Sequence, residues 1–460
     1  MSLPERFVER VLRDLGPEEG RALCEALETE PPTSVRLNAS KCRVEGTDLP
    51  HLGLSKRVPW CDEGWYLCER PSFTFDPDFH AGAYYVQEAS SQFVGYLLRG
   101  MLPRGAHLLD LCAAPGGKTT LYASLIGREG LVVANEIDRR RASVLADNVR
   151  KWGTGNVAVT CCDAASLGRF EAWFDVVAVD APCSGEGMFR KDPAARQEWS
   201  EANVRLCAAR QDEILCEAWR ALKPGGVLVY STCTFNRDED EGSLERMLAW
   251  AGDEVTEADP VDVDQAWGIC CGAIGPFRTY RFYPYRACGE GFFAAVARKS
   301  AEVDARMRTP RARRSVVAAV DRKCMAELSR WLREPEEMRF GAVGDTYYAW
   351  YGGQAEAVRM LSEALPVIGS GVALGQLFKG VLKPDPALAF FPGLNREALP
   401  VAELDEQEAL RYLRRQEIAA GGLAEGMNLI TVRGRGLGFA KRIGSRVNNL
   451  YPNSLRIMKQ

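Results

Sequence analysis

Short apolar runs alternate with longer helix-like stretches between His107 and Trp250. Strands that alternate with helices are typical of βαβ units, so we predict an α/β fold with a doubly wound, mainly parallel sheet. A later apolar run, Gly291–Arg298, would complete that sheet. The predicted strands are His107–Cys112, Leu131–Glu136, Val157–Asp163, Phe174–Asp180 and Gly226–Cys233, and the predicted helices are Thr119–Ile126, Arg139–Lys151, Glu201–Leu222 and Glu239–Trp250.

Two less regular regions flank this core. The chain before His107 combines a short helical start with turn-forming residues such as Pro31-Pro32. A basic, alanine-rich stretch at about 300–320 is interpreted as a linker. The region beyond it carries two predicted strands, Tyr347–Tyr351 and Asn428–Arg433, and a predicted helix near Glu403–Gln416.

The composition is typical of a globular protein, but the charge is unevenly distributed. Of the 460 residues, 46% are hydrophobic and 26% charged, and the net charge of −4 excludes a uniformly basic nucleic-acid binder. Two segments are locally basic, and each is either a solvated face or linker, or a nucleic-acid contact. The first contains Arg306, Arg308, Arg311, Arg313, Arg314, Arg322 and Lys323, and the second contains Arg433, Arg435, Lys441, Arg442, Arg446, Arg456 and Lys459.

The sequence predicts neither a membrane span nor a secretory signal. The longest notable uncharged run, Ala364–Phe378, is 15 residues long, whereas a membrane helix needs about 20 apolar residues. The charged N-terminal segment 1–14 lacks the apolar core of a signal peptide. Fifteen cysteines without such a signal indicate free thiols in a reducing compartment, so we expect a cytoplasmic protein.

The first predicted strand leads into a loop of small residues. Small side chains let main-chain amides approach a ligand at the carboxyl end of a parallel sheet. The loop is not a P-loop, whose first glycine would fall at Cys112, and it lacks the GxGxxG of dinucleotide binders. Its residues are Cys112, Ala113, Ala114, Pro115, Gly116, Gly117 and Lys118.

Acidic residues end the next two predicted strands at the same edge of the sheet. Glu136 follows Gly116 by 20 residues, the spacing at which a carboxylate binds a ribose diol, and Asp163 ends the third strand. We interpret this edge as the site of a nucleoside-containing ligand. The alternative interpretation is that both are ordinary polar strand ends.

Two cysteines follow the fourth and fifth predicted strands. Cys183 follows Asp180 in the segment DAPCSGEG, and Cys233 lies in the segment YSTCT. Each cysteine taken alone can equally be interpreted as a buried structural residue that takes no part in chemistry. Together, at the carboxyl ends of neighbouring strands and beside a carboxylate, they predict a reaction centre.

Two thiols and a carboxylate suit the methylation of a pyrimidine at carbon 5. That carbon is a poor nucleophile until a thiolate adds at carbon 6 and converts the ring to an enamine. A group that hydrogen-bonds N3 would stabilise the developing charge, and a base must then remove the carbon 5 proton so that the thiol can leave. Methylation of an amino group needs neither thiol.

Other chemistries find less support. The three histidines, His51, His80 and His107, lie far in sequence from the cysteine motifs, which argues against a Cys–His protease. The adjacent pairs Cys161-Cys162 and Cys270-Cys271 are poorly spaced for zinc, so we predict no metal site.

The motifs resemble those of the Sun/Fmu-type RNA (cytosine-5)-methyltransferases. The pairing of Pro-Cys with Ser-Thr-Cys is highly specific to that family. Segments 34–41 and 84–92 are also similar to family segments, and 374–391 and 429–456 are similar to the tail of the bacterial ribosomal small-subunit methyltransferase F group. The matching strings are LDLCAAPGGKTT (109–120), ANEID (134–138), DAPCSGEGMFRKDP (180–193) and YSTCTFN (230–236).

The resemblance implies a Rossmann-like, S-adenosylmethionine-dependent methyltransferase that acts on cytosine in 16S ribosomal RNA. By position, 112–118 would hold the cofactor, Glu136 its ribose and Asp163 would lie by the adenine. Asp180 would lie between cofactor and cytosine, Cys233 would be the nucleophile, and Cys183 would assist product release. The implied domains are an N-terminal RNA-positioning region 1–83, a catalytic domain 84–300, a linker 301–325 and a C-terminal RNA-binding region 326–460 with a PUA-like tail.

RNA contacts are predicted from aromatic and basic residues. Phe189, Tyr280, Phe282 or Tyr283 would stack the target base, unless they belong to the core. The basic C-terminal segment would contact phosphates. Lys191 is either a phosphate contact or a plain surface residue, and Tyr285 stands where many relatives of the family carry histidine, which leaves its role open.

Two alternatives remain open at this stage. One is 5-methylcytosine formation in another RNA, such as tRNA, and the other is a non-catalytic RNA-binding factor in ribosome assembly. A dinucleotide-dependent oxidoreductase is disfavoured by the missing GxGxxG. We expect a monomer whose partner is small-subunit ribosomal RNA or the subunit itself.

Overall fold

A helical hairpin and a small antiparallel sheet form the N-terminal region of the computed structural model, which describes residues 2–311 and 316–459. Its elements are α1 (Glu5–Leu15), α2 (Pro17–Ala26), β1 (Ser34–Leu37), β2 (Leu54–Arg57), β3 (Gly64–Leu67), α3 (Pro77–His80), β4 (Tyr84–Val86) and α4 (Phe93–Leu97). The strands pair antiparallel in the order β2-β3-β1-β4. Phe7 and Val11, one turn apart on α1, are both buried, so the apolar stripe of this helix packs against the rest of the protein.

The central region is a layered α/β domain. Its elements are β5 (His107–Asp110), α5 (Gly117–Ile126), β6 (Leu131–Asn135), α6 (Arg139–Trp152), β7 (Val157–Thr160), α7 (Ala164–Gly168), β8 (Phe174–Asp180), α8 (Pro193–Glu198), α9 (Glu201–Ala221), β9 (Leu222–Thr232), α10 (Glu241–Ala251), β10 (Val255–Thr256), β11 (Cys270–Ile274), β12 (Phe277–Phe282) and β13 (Phe292–Lys299).

The central sheet has a parallel middle and antiparallel flanks. Strands β7, β6, β5, β8 and β9 lie side by side and parallel, and β13, β12 and β11 continue the sheet antiparallel beyond β9. Along β6, Val132 and Ala134 pack into one hydrophobic layer, and Leu131 and Val133 pack into the other. Burial on both faces explains why these strands read as continuous apolar runs.

The C-terminal region contains two further sheets. Its elements are β14 (Ala318–Ala319), α11 (Arg322–Ser329), β15 (Met338–Val343), β16 (Thr346–Tyr351), α12 (Ala355–Ala364), β17 (Val367–Ser370), β18 (Val372–Phe378), β19 (Val381–Pro384), α13 (Pro386–Phe390), β20 (Val401–Glu403), α14 (Glu406–Leu413), β21 (Gly426–Val432), β22 (Arg435–Ile443) and β23 (Arg446–Asn449). One sheet has the order β14-β15-β16-β18-β19 and the other the order β20-β21-β22-β23.

Strand β17 joins the C-terminal region to the central sheet. It pairs antiparallel with β7 and so extends the central sheet at the edge opposite β11. This strand lies within the uncharged run Ala364–Phe378, whose lack of periodicity gave no indication of its pairing. Of the helices in residues 2–311 and 316–459, none is long and apolar enough to cross a membrane.

The predicted elements of the core lie within four residues of the observed bounds, and two helix ends show why the bounds differ. The helix predicted from Glu239 begins at Glu241, because the Glu239 carboxylate instead accepts hydrogen bonds from Ser184 N and Asn236 Nδ2. The helix predicted over 403–416 is shorter, because Glu403 belongs to β20 and Asp405 caps α14 by accepting from Glu408 N.

Two arginines of the basic C-terminal segment form ion pairs with acids of the N-terminal region. Arg435 is buried and pairs with Asp78 at 2.8 Å and with Asp48, and Arg433 pairs with Asp78 at 2.6 Å and with Glu406 at 2.9 Å. The predicted phosphate contact does not fit the buried Arg435, whereas that of the exposed Arg433 stays a prediction. Lys441, Arg446 and Lys459 of the same segment are exposed, and Arg313 and Arg314 of the other basic segment lie outside the described residues.

Candidate active site

The loop after β5 folds into a cradle of main-chain groups. Gly116 has a φ of +109°, and a Cβ there would lie 3.0 Å from Leu145 Cδ1, so glycine suits this position. Arg141 donates from Nη2 to the Ala114 carbonyl at 3.0 Å, and Asn148 donates from Nδ2 to the Pro115 carbonyl at 2.8 Å. Helix α6 thus fixes the loop that precedes α5.

Asp110 ends β5 beneath this loop with one oxygen unpaired. Its Oδ2 accepts a hydrogen bond of 2.6 Å from Thr119 Oγ1, while its Oδ1 has no partner among the described residues. Burial raises the pKa of the Asp110 carboxyl to about 7. The carboxyl borders the ligand cavity described below.

The two acidic strand ends differ in their surroundings. Glu136 is buried; its Oε1 accepts from Asp138 N at 3.0 Å and its Oε2 lies 3.3 Å from Arg141 Nη1. Asp163 is exposed and caps α7 by accepting from Ser166 N at 2.8 Å, and the hydrogen bonds from Ser166 lower the pKa of its carboxyl. The intervening Ile137 is 69% exposed, an apolar surface that the sequence analysis missed.

A cavity of about 400 Å³ joins the cradle to the N-terminal region. Cys112–Pro115, Lys118 and Asp180 line it on the side of the central sheet, and Tyr85 and Gln87 line it on the other side, on and just after β4. Burial raises the pKa of the Cys112 thiol, which stays neutral. Of the described residues, the lining includes Asp180 but neither Cys183 nor Cys233, both of which are half-buried.

The two cysteine sulfurs face each other. Their Sγ atoms lie 3.2 Å apart, because β8 and β9 are neighbouring parallel strands and each cysteine follows the end of its strand. The hydrogen bond with Cys233, with burial as the second cause, raises the pKa of Cys183 well above its ordinary value. Cys183 is therefore a neutral thiol beside Cys233.

A lysine and a carboxylate lie beside these sulfurs. Lys118 Nζ is 2.8 Å from Asp180 Oδ2, and Ser231 donates to Asp180 Oδ1 at 2.9 Å. Burial lowers the pKa of the Lys118 ammonium, but the charge and hydrogen bond of Asp180, together with Cys233, raise it further, so the net shift is upward. Lys118 thus keeps its positive charge in the neighbourhood of Cys233, although its sequence motif assigned it only to the cofactor.

A buried carboxylate ties the two cysteine loops together, and the sequence analysis missed it. Glu186 Oε2 accepts from Thr234 Oγ1 at 2.7 Å and from Phe235 N at 2.9 Å. Its Oε1 accepts from Trp199 Nε1 at 2.9 Å and from Asn236 Nδ2 at 3.1 Å. The glutamate of the Cys183 loop therefore fixes the three residues that follow Cys233.

The aromatic residues offered for base stacking belong to the core. Phe189 is buried against Phe7 of α1, with ring centroids 4.9 Å apart. Tyr280 and Phe282 are buried against Phe93. Tyr283 is also buried, and packs against Phe235. The stacking prediction is wrong for all four because their faces are covered by neighbouring side chains.

Two residues of unassigned role have acidic partners. Lys191 Nζ lies 3.5 Å from Glu290 Oε1 at the cavity wall. Tyr285 donates to Glu19 Oε2 of α2 at 3.2 Å. Among the described residues, one group of three potential metal ligands lies close together, His51, Asp76 and Asp78, and Asp78 already binds two arginines.

Three family models match successive parts of the chain. The model described as 16S rRNA methyltransferase RsmB/F matches residues 101–298, the N-terminal domain of 16S rRNA methyltransferase RsmF matches 3–89, and the methyltransferase RsmF PUA domain matches 400–457.

Curated proteins and solved structures show the same similarity. Ribosomal RNA small subunit methyltransferase F of Shewanella loihica is 31% identical over 86% of this chain and 83% of its own length, and that of Pectobacterium atrosepticum is 30% identical over 99% and 96%. A methyltransferase homologue from Pyrococcus horikoshii is 30% identical, with a TM-score of 0.54 over 64% of this chain and 95% of that one. NSun6 from Pyrococcus horikoshii with SFG shares the fold at 22% identity, with a TM-score of 0.55 over 64% of this chain and 98% of that one.

Proposed function

The chain belongs to the 16S rRNA methyltransferase RsmB/F family, and we propose that it methylates carbon 5 of a cytosine in small-subunit ribosomal RNA. It is a methyltransferase with a Rossmann-like core, S-adenosylmethionine as cofactor, and a PUA domain that binds RNA. One observation carries the choice of carbon 5: the sulfurs of Cys183 and Cys233 lie 3.2 Å apart beside the Lys118–Asp180 pair.

The residues at the strand ends fit S-adenosylmethionine. The cradle 112–118 offers main-chain groups. Glu136, linked to the cradle through Arg141, offers a buried carboxylate for the ribose, and the exposed Ile137 offers an apolar surface for the adenine. The unpaired Oδ1 of Asp110 supplies a further acceptor at the cavity wall. When bound, the cofactor supplies a methyl group that a carbon nucleophile can attack.

Cys233 is the proposed nucleophile. Its thiolate adds to carbon 6 of the cytosine, and the electrons of the carbon 5–carbon 6 double bond become available for attack on the methyl group. The charged Lys118 stabilises negative charge that develops during this addition, and the Asp180 carboxylate can accept a hydrogen bond from the amino group of the cytosine.

Cys183 is proposed to act in the release of the product. After methylation a base removes the proton on carbon 5, the double bond re-forms, and the bond between carbon 6 and Cys233 Sγ breaks. The neutral thiol of Cys183 lies 3.2 Å from that sulfur, where it can donate a hydrogen bond to the departing thiolate.

The proposed organisation keeps the boundaries of the sequence analysis: 1–83, 84–300, 301–325 and 326–460. The matches of the family models at 3–89, 101–298 and 400–457 support it. We place the enzyme in the cytoplasm and propose that it is a monomer. The described cysteines are all free thiols, which supports a reducing compartment.

The test is methyl transfer from labelled cofactor to deproteinised small-subunit RNA, with mapping of 5-methylcytosine. Cys233→Ala should abolish the product, whereas Cys183→Ala should accumulate a covalent protein–RNA adduct. Cys216→Ala, at an exposed free cysteine, is the matched control and should behave like the wild type. Full activity of Cys233→Ala, or methylation at an amino group, would contradict the proposal, and product on tRNA alone would select the other RNA substrate.

A further inference from the structure

The hairpin of β18 and β19 ends in an exposed aromatic residue. Phe378 is 71% exposed and pairs across the hairpin end with Val381, which is 63% exposed. Lys379 and Gly380 close the turn, both with positive φ. A single exposed apolar residue is ordinary on a protein surface, so the tip is informative only through its surroundings.

The surroundings of Phe378 are basic. Lys379 places its Nζ 5.8 Å from the centroid of the Phe378 ring. Lys383 is exposed on the same face of β19 as Val381, two residues further on, and lies opposite the exposed Gln376. Neither lysine forms an ion pair with any residue in the described part of the chain, so both charges are available to a ligand.

The nearest acid on the adjoining helix is already neutralised. Glu327 of α11 accepts from Leu382 N at 3.3 Å and from Trp331 Nε1 at 3.3 Å through Oε1. Its Oε2 pairs with Arg330 at 3.0 Å. The face that carries the hairpin tip therefore keeps its positive charge.

We propose that this tip, Phe378–Lys383, binds an unpaired nucleobase of single-stranded RNA. The ring of Phe378 offers a stacking face, which every base can use, and Lys379 and Lys383 contact the flanking phosphates. A paired base inside a duplex has no free face, so the site selects unpaired segments. The inference rests on the proposed function, since it concerns how the RNA substrate is held away from the methylation site.

The test measures binding by the full-length protein. The probes are fluorescein-labelled dodecauridylate and deproteinised small-subunit RNA, followed by fluorescence anisotropy. Base–aromatic stacking predicts that Phe378→Ala weakens binding of dodecauridylate by about fivefold or more. Phe378→Trp should bind at least as tightly as the wild type, whereas Phe378→Leu, which is apolar but has no ring, should resemble Phe378→Ala.

Trp250→Ala is the matched control, because Trp250 is also an exposed aromatic residue, 46% exposed, but lies on α10. It should leave the affinity unchanged. In a second measurement, dodecauridylate containing 4-thiouridine should crosslink to the peptide that includes Phe378.

Other outcomes overturn the inference. A loss smaller than that predicted for Phe378→Ala would refute it, as would an equal loss in Trp250→Ala. Wild-type affinity of Phe378→Leu for dodecauridylate would refute stacking, because an apolar contact without a ring would then suffice. If binding depends on the Phe378 ring but no 5-methylcytosine forms, the proposed function fails and this site stands. If 5-methylcytosine forms but the affinity for dodecauridylate does not depend on Phe378, only the proposed binding site is refuted.

Discussion

Replacing Glu186 tests whether the two cysteine loops are held as one unit. In Glu186→Ala four donors lose the carboxylate as their acceptor. Thr234 Oγ1 keeps its hydrogen bond with Ser184 Oγ, and Asn236 Nδ2 keeps its hydrogen bond to Glu239 at 2.7 Å. Trp199 Nε1 and Phe235 N have no second acceptor in the described structure. Each orphaned buried donor costs about 1–3 kcal/mol, so the variant should be less stable by about 2–6 kcal/mol.

The isosteric Glu186→Gln should lose about half as much. The Gln carbonyl can replace one of the two oxygens, while its amino group faces donors on the other side. With the carbonyl toward Thr234 and Phe235, only the Trp199 Nε1 donor is orphaned, at a cost of about 1–3 kcal/mol. Glu245→Ala, at an exposed residue of α10, is the control and should leave stability unchanged.

The same substitution should affect catalysis more than cofactor binding. Phe235 and Thr234 directly follow Cys233, so a loosened loop misplaces the sulfur, and a misplacement of about 1 Å reduces turnover about 100-fold. Urea unfolding gives the stability, single-turnover methyl transfer gives the rate, and calorimetry gives the affinity for the cofactor. Wild-type turnover in a folded Glu186→Ala protein would refute this role, as would a parallel loss of cofactor affinity.

Two further predictions concern stability. Arg435→Ala breaks a buried ion pair and should lower the free energy of unfolding in urea by about 3 kcal/mol, the low end for such pairs because Asp78 keeps its pair with Arg433. Lys441→Ala, at an exposed residue, should change that free energy by less than about 0.5 kcal/mol. Equal losses in the two variants would contradict the domain-bridging role. The folded-state pKa of Asp110, raised to about 7, lies above its unfolded value, so this group costs stability as pH rises from about 4 to 7. Asp110→Asn should therefore stabilise the cofactor-free protein by an amount that grows over that range and is constant above it, and a pH-independent difference would contradict the assignment.

The central sheet was predictable because its strands are buried on both faces. Val132–Ala134 and Val176–Val179 read as apolar runs, and the glycines at 225–226 and the acidic residues at strand ends marked their limits. The hairpin of β11 and β12 was not predicted, because Cys271, Gly272 and Ala273 are exposed and show no apolar alternation. The pairing of β17 with β7 is a long-range contact that no local pattern encodes.

At the site, sequence motifs indicated the residues that approach the ligand but not those that support them. Cys183, Cys233 and Asp180 were identified because thiols and a carboxylate at neighbouring strand ends suggest a reaction. Glu186 lies in the same motif, yet nothing in its local sequence distinguishes a buried acceptor from an exposed acid. Only the fold shows that three of its four donors come from the other cysteine loop.

The N-terminal hairpin extends this support. Phe7 of α1 packs against Phe189 and Trp199, which flank the Cys183 loop, and Arg196 donates to the Leu27 carbonyl at 2.9 Å. Arg10 pairs with Asp238 at 2.9 Å, beyond the Cys233 loop. The hairpin therefore packs on the outer side of the Cys183 and Cys233 loops, whose inner sides are linked by the hydrogen bonds of Glu186. Since Gly187 N also donates to the Cys233 carbonyl at 2.7 Å, the 3.2 Å approach of the two sulfurs follows from hydrogen bonds between the loops together with packing on their outer side.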